Sequence, residues 1–227
     1  MFFDYYYLIL VVPALLLAAW AQMTVSATFS KYSRIRSSRH LTGEQAARRI
    51  LDANGLRDVR IEHIRGKLTD HYDPASGVVR LSDNVYGSDS VAAVGVAAHE
   101  CGHAVQHAHK YAPLVFRNAI IPITNFGSKL SIPLIIFGFI SRYQPLINVG
   151  LLLFALVAVF QLVTLPVEFN ASSRALATLE NAEYLEPSEL RGSKRVLQAA
   201  ALTYVAALLV TLAQLLRLVL LSRDRRD

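Results

Sequence analysis

The stretch that decides the fold class covers residues 145–167 and reads PLINVGLLLFALVAVFQLVTLPV, with no charged residue. A helix of about 20 apolar residues crosses the hydrocarbon layer of a bilayer, and this stretch is long enough to do so. Three further stretches are comparably long and apolar, namely residues 5–25, 119–140 and 199–216. A soluble core built from four such helices would leave too little polar chain to cover it. The sequence therefore predicts a mainly α, multi-pass membrane protein with about four transmembrane helices.

Composition supports this class. Charged residues make up 18% of the 227 residues and hydrophobic residues 53%, whereas a soluble domain carries about 25% charged residues. This composition excludes a disordered chain, and a single cysteine excludes an internal disulfide framework. The net charge of +6 suits either a membrane surface or a nucleic acid. Its distribution favours the membrane, so we expect no nucleic-acid partner.

The basic residues predict an orientation. Only Asp4 precedes the first apolar stretch, whereas Lys31, Arg34, Arg36 and Arg39 follow it directly. Cytoplasmic loops are enriched in Lys and Arg. We therefore expect a protein of the cell membrane whose polar region and catalytic site face the cytoplasm. The basic C-terminal tail opposes this orientation, because four crossings would leave it outside.

The one long water-facing segment lies between the first and second apolar stretches. The sequence predicts five segments: a transmembrane helix (1–25), a polar insert (26–117), a transmembrane hairpin (118–167), a loop or helix with the third metal ligand (168–198), and a last transmembrane helix with a basic tail (199–227). We expect the insert to be a small α+β unit that leads into the helix carrying the chemistry.

Local signals within the insert predict its elements. Thr42 and Gln45 have the spacing of a capping box and Gly55 is a typical stop, so a helix is expected between them. Residues 59–64 alternate in polarity, and residues 78–81 form a second apolar run after turn-forming residues. These two runs predict strands in a small hairpin or sheet.

A metal motif lies in the helix predicted over residues 91–108, for which Ser88 or Asp89 is the expected N-cap. Residues 99–103, HECGH, match the H-E-x-x-H pattern. Histidines four residues apart lie one turn apart on one helix face and can bind one Zn²⁺, while the glutamate between them can act as general base on a water. Such groups are costly to bury in an Ala/Val-rich helix unless they are paired or bind a metal.

A catalytic zinc needs a third protein ligand, and the sequence offers three candidates. His109 has the metzincin spacing, but Gln106 occupies the position where that arrangement needs a helix-breaking glycine. His107 lies one turn beyond His103, and three successive turns of one helix cannot close a tetrahedron. Glu168 follows the third apolar stretch, and a hairpin would return it to the side of the motif. We expect Glu168 to be the ligand, with a solvated cap as its alternative role.

Several segments together resemble the YugP-type zinc-dependent membrane metallopeptidases: LTDHYDP (68–74), VRLS (79–82), HECGH (99–103) and EFNASSRA (168–175). The resemblance covers nearly the whole chain, and that family is similar in layout to the HtpX and CAAX-prenyl endopeptidase gluzincins. It implies one zinc ion per chain, bound by His99, His103 and Glu168, with Glu100 as the base. In those wider relatives an Asp four residues after the ligand Glu orients a histidine, and Ser172 stands at that position here.

The remaining candidates would contact the substrate. The oxyanion of a tetrahedral intermediate needs an electrophile, for which Arg174, His71 and Tyr72 are candidates; Arg174, nearly two helical turns after Glu168, is the expected catalytic group. The strand at 78–82 is expected to present an edge to an extended substrate. The expected substrate-binding residues are Val79, Arg80, Leu81, His71 and Tyr72.

These features favour a membrane-integral zinc endopeptidase that hydrolyses peptide bonds near the membrane surface. The alternative is a membrane-embedded zinc-binding regulatory or assembly subunit without proteolytic activity, which would have no use for Glu100. An intramembrane relay through Lys129 suggests a transporter, but no internal repeat supports one. The expected partners are membrane lipid and protein or peptide substrates, including membrane proteins, and a homo-oligomer or a membrane-protein complex is compatible with the sequence.

Overall fold

The computed structural model describes residues 4–224, and this part of the chain is mainly helical. A short π-helical segment, Tyr7–Val11, leads into the first of six α-helices. The helices are α1 (Val12–Tyr32), α2 (Gly43–Ala53), α3 (Val91–Ala108), α4 (Ala112–Ser141), α5 (Gln144–Asn181) and α6 (Pro187–Arg223). Three strands, β1 (Arg60–Ile64), β2 (His71–Asp73) and β3 (Val78–Ser82), lie between α2 and α3.

Within the described residues, four helices are long and apolar enough to cross a membrane, which confirms the predicted number of spans. They cover Tyr7–Tyr32, Ala112–Ser141, Gln144–Asn181 and Pro187–Arg223. Each is longer than the apolar stretch that predicted it. The difference is largest for the last two: α6 begins at Pro187, ahead of its apolar stretch, and α5 continues as one helix beyond its own stretch to Asn181, where the sequence predicted a loop or helix.

The chain forms two compact units. One comprises the described residues up to Gln22, Val115–Pro166 and the described residues from Leu202 onward, and it contains most of the apolar helical surface. The other comprises Met23–Leu114 and Val167–Ala201. The polar insert and the segment after the third apolar stretch, which the sequence treated as separate segments, therefore belong to one unit.

In the apolar unit, the beginning of the first membrane helix meets the end of the last. Nε and an Nη atom of Arg217 lie 3.0 and 2.5 Å from a carboxylate oxygen of Asp4. The guanidinium also lies over the ring of Tyr7, 5.1 Å from its centroid. An ionised group inside a membrane protein needs such a partner. This contact brings the first described residues and the last turns of α6 to the same end of this unit, which agrees with the four candidate spans.

The sheet of the second unit has the order β1-β3-β2. The two predicted strands, β1 and β3, pair with each other but run parallel, so they do not form a hairpin. The hairpin partner of β3 is β2, which pairs with it antiparallel. β2 was not predicted because it is only three residues long and its last two residues belong to the turn-forming run at residues 72–77.

The N-cap observed for α2 is the predicted one, whereas the N-cap observed for α3 is not. The capping box of α2 is confirmed, since Thr42 Oγ1 accepts from the backbone N–H of Gln45 and the Gln45 side chain accepts from the backbone N–H of Thr42. The N-cap of α3 is Ser90, whose Oγ accepts from the Ala93 N–H at 3.2 Å, so the assignment to Ser88 or Asp89 was wrong. Ser88 Oγ instead donates to Ser90 Oγ.

Candidate metal centre

Helix α3 places His99 and His103 on the same face, one turn apart. Their ring centroids are 4.8 Å from each other, and each Nε2 atom points toward the same carboxylate oxygen. That oxygen is Oε2 of Glu168, which lies 3.3 Å from Nε2 of His99 and 3.4 Å from Nε2 of His103. The three side chains are only 15%, 12% and 6% exposed. The ligand atoms that the sequence proposed for one metal thus converge in space.

Glu168 reaches the histidines because α5 remains helical beyond Pro166 and packs closely on α3. The closest approach is at Gly102, where a Cβ atom would lie 2.7 Å from the Ala171 carbonyl oxygen. Only glycine leaves room for the α5 backbone at this position. Gly102, the fourth residue of the HECGH segment, therefore has a packing role. The H-E-x-x-H pattern leaves this position unspecified and does not reveal that role.

Both histidines also contact a neighbouring side chain through Nδ1. Nδ1 of His99 lies 3.1 Å from Oγ of Ser172, so the serine that replaces the expected aspartate touches the ring that such an aspartate would orient. Nδ1 of His103 lies 3.0 Å from Oε1 of Gln106. Sequence reasoning treated Gln106 only as a missing glycine. Its spacing of three residues from His103, on a buried helix, was the signal that could have identified it.

The donor set fits zinc. The three candidate ligand atoms lie within 4.8 Å of one another, and imidazole nitrogen with carboxylate oxygen is a typical ligand set for catalytic zinc. Burial alone would lower the pKa of His103, but its contact with the Glu168 carboxylate outweighs burial and raises the pKa. The Glu168 carboxylate therefore favours positive charge at His103.

Glu100 and Cys101, which directly follow His99, face different surroundings. Glu100 is buried, and burial raises the pKa of its carboxyl group. Cys101 is also buried, but its Sγ lies 3.6 Å from the carbonyl oxygen of Ala47 on α2. Burial raises the pKa of this thiol, so it remains a neutral thiol in the core and is not a zinc ligand.

His107 and His109 lie outside the cluster. Nδ1 of His107 lies 2.9 Å from the hydroxyl of Tyr72, and the two rings pack with centroids 5.8 Å apart. Nδ1 of His109 lies 2.9 Å from the carbonyl oxygen of Val105. Among the described residues, the group that could hold a metal consists of His99, His103 and Glu168 alone.

β3, the strand that was expected to bind substrate, does not lie at an edge of the sheet. β3 is central in the sheet and pairs on both sides, so the expected open edge is wrong. Val79 and Leu81 are fully buried in the core. Arg80 forms ion pairs with Glu62 and Asp73.

The other predicted contact residues lie on β2 and α5. His71 and Tyr72 belong to β2, which is an edge strand of the sheet. The ring of His71 lies between the Thr69 carbonyl oxygen and the guanidinium of Arg80. Arg174 lies on α5, where its Nε donates to Oδ1 of Asn170 at 2.8 Å. The structure thus gives each of these residues a protein partner.

Comparison with known proteins agrees with this site. The chain matches the family model described as "Putative neutral zinc metallopeptidase" over residues 7–223. A protein of Bacillus subtilis (strain 168) named "Putative membrane protease YugP" is 48% identical over 221 residues, which cover 97% of this chain and 98% of that protein. No solved structure matches the chain. Since the family model spans the whole metal cluster and all four candidate membrane helices, the chain belongs to the family described as putative neutral zinc metallopeptidases.

Proposed function

We propose that the chain is a membrane-integral zinc endopeptidase of the cell membrane. It would hydrolyse peptide bonds near the membrane surface, and membrane proteins are among its expected substrates. The observation that carries the proposal is the convergence of His99, His103 and Glu168 beside a buried Glu100. In this reading α3 is the active-site helix, and His-His-Glu ligation by two helices is the arrangement of a gluzincin.

Zinc bound there supplies Lewis-acid activation of water and of the scissile carbonyl group. The protein supplies the proton transfers. Glu100 accepts the proton of the attacking water and then delivers it to the leaving nitrogen. A buried carboxyl group with a raised pKa suits both tasks better than an exposed one, because its protonated form persists until the nitrogen receives the proton. His99, His103 and Glu168 serve as ligands and take no proton from the substrate.

For the oxyanion we propose Tyr72 ahead of Arg174. Tyr72 lies on edge strand β2, and its hydroxyl is held 2.9 Å from His107, one turn of α3 beyond His103. Arg174 instead uses its Nε to hold Asn170. An edge strand beside the active-site helix can also pair with an extended substrate backbone. His71 and Tyr72 therefore remain the proposed substrate-binding residues.

Replacement of Tyr72 by Phe tests this assignment. Loss of one oxyanion donor costs about 10²–10³-fold in kcat, and we expect a loss of that size with zinc content unchanged. Wild-type kcat in Tyr72→Phe would exclude the hydroxyl from the reaction. Arg174 would then be the next candidate.

The alternative is a zinc-binding regulatory or assembly subunit. Structural zinc sites favour four protein ligands, and the cluster among the described residues offers three, which favours the enzyme. The test is incubation of the purified protein with a library of membrane proteins, with zinc measured in parallel. Cleavage that a chelator stops and added zinc restores supports the endopeptidase. Stoichiometric zinc without cleavage would favour the alternative.

A further inference from the structure

Gln106 has a buried polar network that packing alone does not explain. Its side chain is fully buried between α3 and α5. Its amide nitrogen donates to the carbonyl oxygen of Val167 at 2.8 Å and to Oδ1 of Asn170 at 3.0 Å. Its amide oxygen faces Nδ1 of His103 at 3.0 Å. A buried amide of this kind is costly unless every group finds a partner, and here both ends do.

The direction of the Gln106 amide follows from two partners whose roles are fixed. The carbonyl oxygen of Val167 can only accept a hydrogen bond. Nε of Arg174 can only donate, and it donates to Oδ1 of Asn170, so this oxygen is an acceptor for Gln106 as well. The amide nitrogen of Gln106 must therefore face α5, and its oxygen must face His103. If the Gln106 amide were flipped, its oxygen would face two acceptors, the Val167 carbonyl oxygen and Oδ1 of Asn170, and could form a hydrogen bond with neither.

The proton position on His103 follows in turn. Because the amide oxygen can only accept, Nδ1 of His103 carries a proton and donates it to Gln106. Nε2 is then the nitrogen available as a ligand, and it is the atom that points toward Glu168. Zinc bound by Nε2 would leave the hydrogen bond from Nδ1 to Gln106 in place. No ring flip or tautomer change is required.

The geometry points to Gln106 as a positioning residue for zinc binding: held by Val167, Asn170 and Arg174, it fixes the ring of His103 with Nε2 aimed at the metal. His99 lacks an equally directed partner, because the Ser172 hydroxyl at its Nδ1 can either donate or accept. The ring of His103 is thus more firmly oriented than that of His99. Its orientation depends on a directed chain of hydrogen bonds that begins at Arg174 and passes through Asn170 to Gln106. This inference rests on the zinc site of the proposed function but not on peptide hydrolysis.

The test is the zinc affinity of purified full-length variants, measured by competition with a chelator at constant pH. Gln106→Met keeps the length and burial of the side chain but removes the acceptor. Partners of this kind are worth about 10–100-fold in metal affinity, and we expect a loss in that range. Gln161→Met makes the same chemical change on α5 in the apolar unit, outside this network, and should leave affinity unchanged. Wild-type affinity in Gln106→Met would overturn the proposal.

A second variant keeps the test decisive if Gln106→Met does not fold. Asn170→Ala leaves Gln106 in place but removes one of the two acceptors that direct its amide, and we expect about tenfold weaker zinc binding. Co²⁺ bound at the site should also show an altered visible absorption spectrum in each variant, which a change in catalysis alone would not produce. Unchanged affinity and spectrum in Asn170→Ala would contradict the directed chain.

Replacement of Arg174 distinguishes a positioning role of this residue from a catalytic one. If Arg174 acts through Asn170, Arg174→Met weakens zinc binding. If it contacts the oxyanion instead, zinc affinity stays at the wild-type level while kcat falls, and the chain of contacts would end at Asn170, contrary to the proposal. Because these readouts measure the metal, they remain valid if the wild-type protein binds zinc but cleaves nothing, in which case only the proposed function fails.

Discussion

At the scale of single residues, adjacent positions on α3 carry opposite chemistry because they face opposite sides of the helix. His99 belongs to the face that meets α5, whereas Cys101 packs against α2. A helix turns about 100° per residue, so the H-E-x-x-H spacing gathers the polar groups on one side. The alanines, valines and Cys101 then remain available for the core.

The third ligand gives a prediction at this scale. Glu168→Ala should weaken zinc binding by more than about 100-fold, since even outer partners of a ligand are worth about 10–100-fold. His107→Ala and His109→Ala should bind zinc as the wild type does, because their Nδ1 atoms contact Tyr72 and Val105. Zinc-to-chain ratios after dialysis measure this. Loss of zinc in His109→Ala with retention in Glu168→Ala would favour a metzincin-like site.

At the scale of helices and strands, the capping box of α2, the apolar composition of α3 and the length of the four apolar stretches were sufficient to predict these helices. The long-range contacts were not predictable in the same way. The position of β3 in the centre of the sheet depends on β2, a strand too short to have a period of its own. The contact of Gln106 with α5 joins residues 61 positions apart in sequence, and no local pattern encodes such a pairing.

The approach of α3 and α5 gives a prediction for these helices. Gly102→Ala would place a methyl group 2.7 Å from the Ala171 carbonyl oxygen, and a backbone atom cannot yield cheaply. Alanine favours a helix over glycine by about 1 kcal/mol, but overpacking typically costs about 1–3 kcal/mol, so the net effect should be destabilising. Displacement of α5 should also move Glu168 and weaken zinc binding.

Thermal unfolding and zinc competition measure both effects of Gly102→Ala. The matched control is Gly87→Ala in the same unit, where a Cβ atom meets nothing within 4 Å. It should retain wild-type stability and zinc affinity. Wild-type zinc affinity in Gly102→Ala would show that the separation of the two helices does not set the position of Glu168.

At the scale of the whole molecule, charge distribution and helix count predict a topology. The Asp4–Arg217 contact joins the first described residues to the last membrane helix, and the basic residues after the first helix predict a cytoplasmic location for the unit that contains the metal cluster. The basic residues of the C-terminal tail oppose this assignment, so the orientation needs a direct measurement.

Single cysteines tested with a membrane-impermeant maleimide give that measurement, and buried Cys101 should remain unlabelled. Arg49→Cys and Glu186→Cys lie at exposed positions of the metal-containing unit and should label only after the cells are opened. Arg142→Cys, in the turn between α4 and α5, should label in intact cells. The reverse pattern would place the site outside the cytoplasm, and labelling of Arg49→Cys and Glu186→Cys from opposite sides would contradict the four-span topology.

The proposed function requires that the cluster bind zinc and that Glu100 accept the proton of the attacking water. The most direct test is Glu100→Gln, measured for bound zinc and for turnover of a cleaved membrane-protein substrate in the same preparation. The amide cannot take that proton, so we expect about one zinc per chain and a loss of turnover of about 10²–10⁴-fold, the usual contribution of general acid–base catalysis. Near wild-type turnover with zinc retained would contradict this role of Glu100.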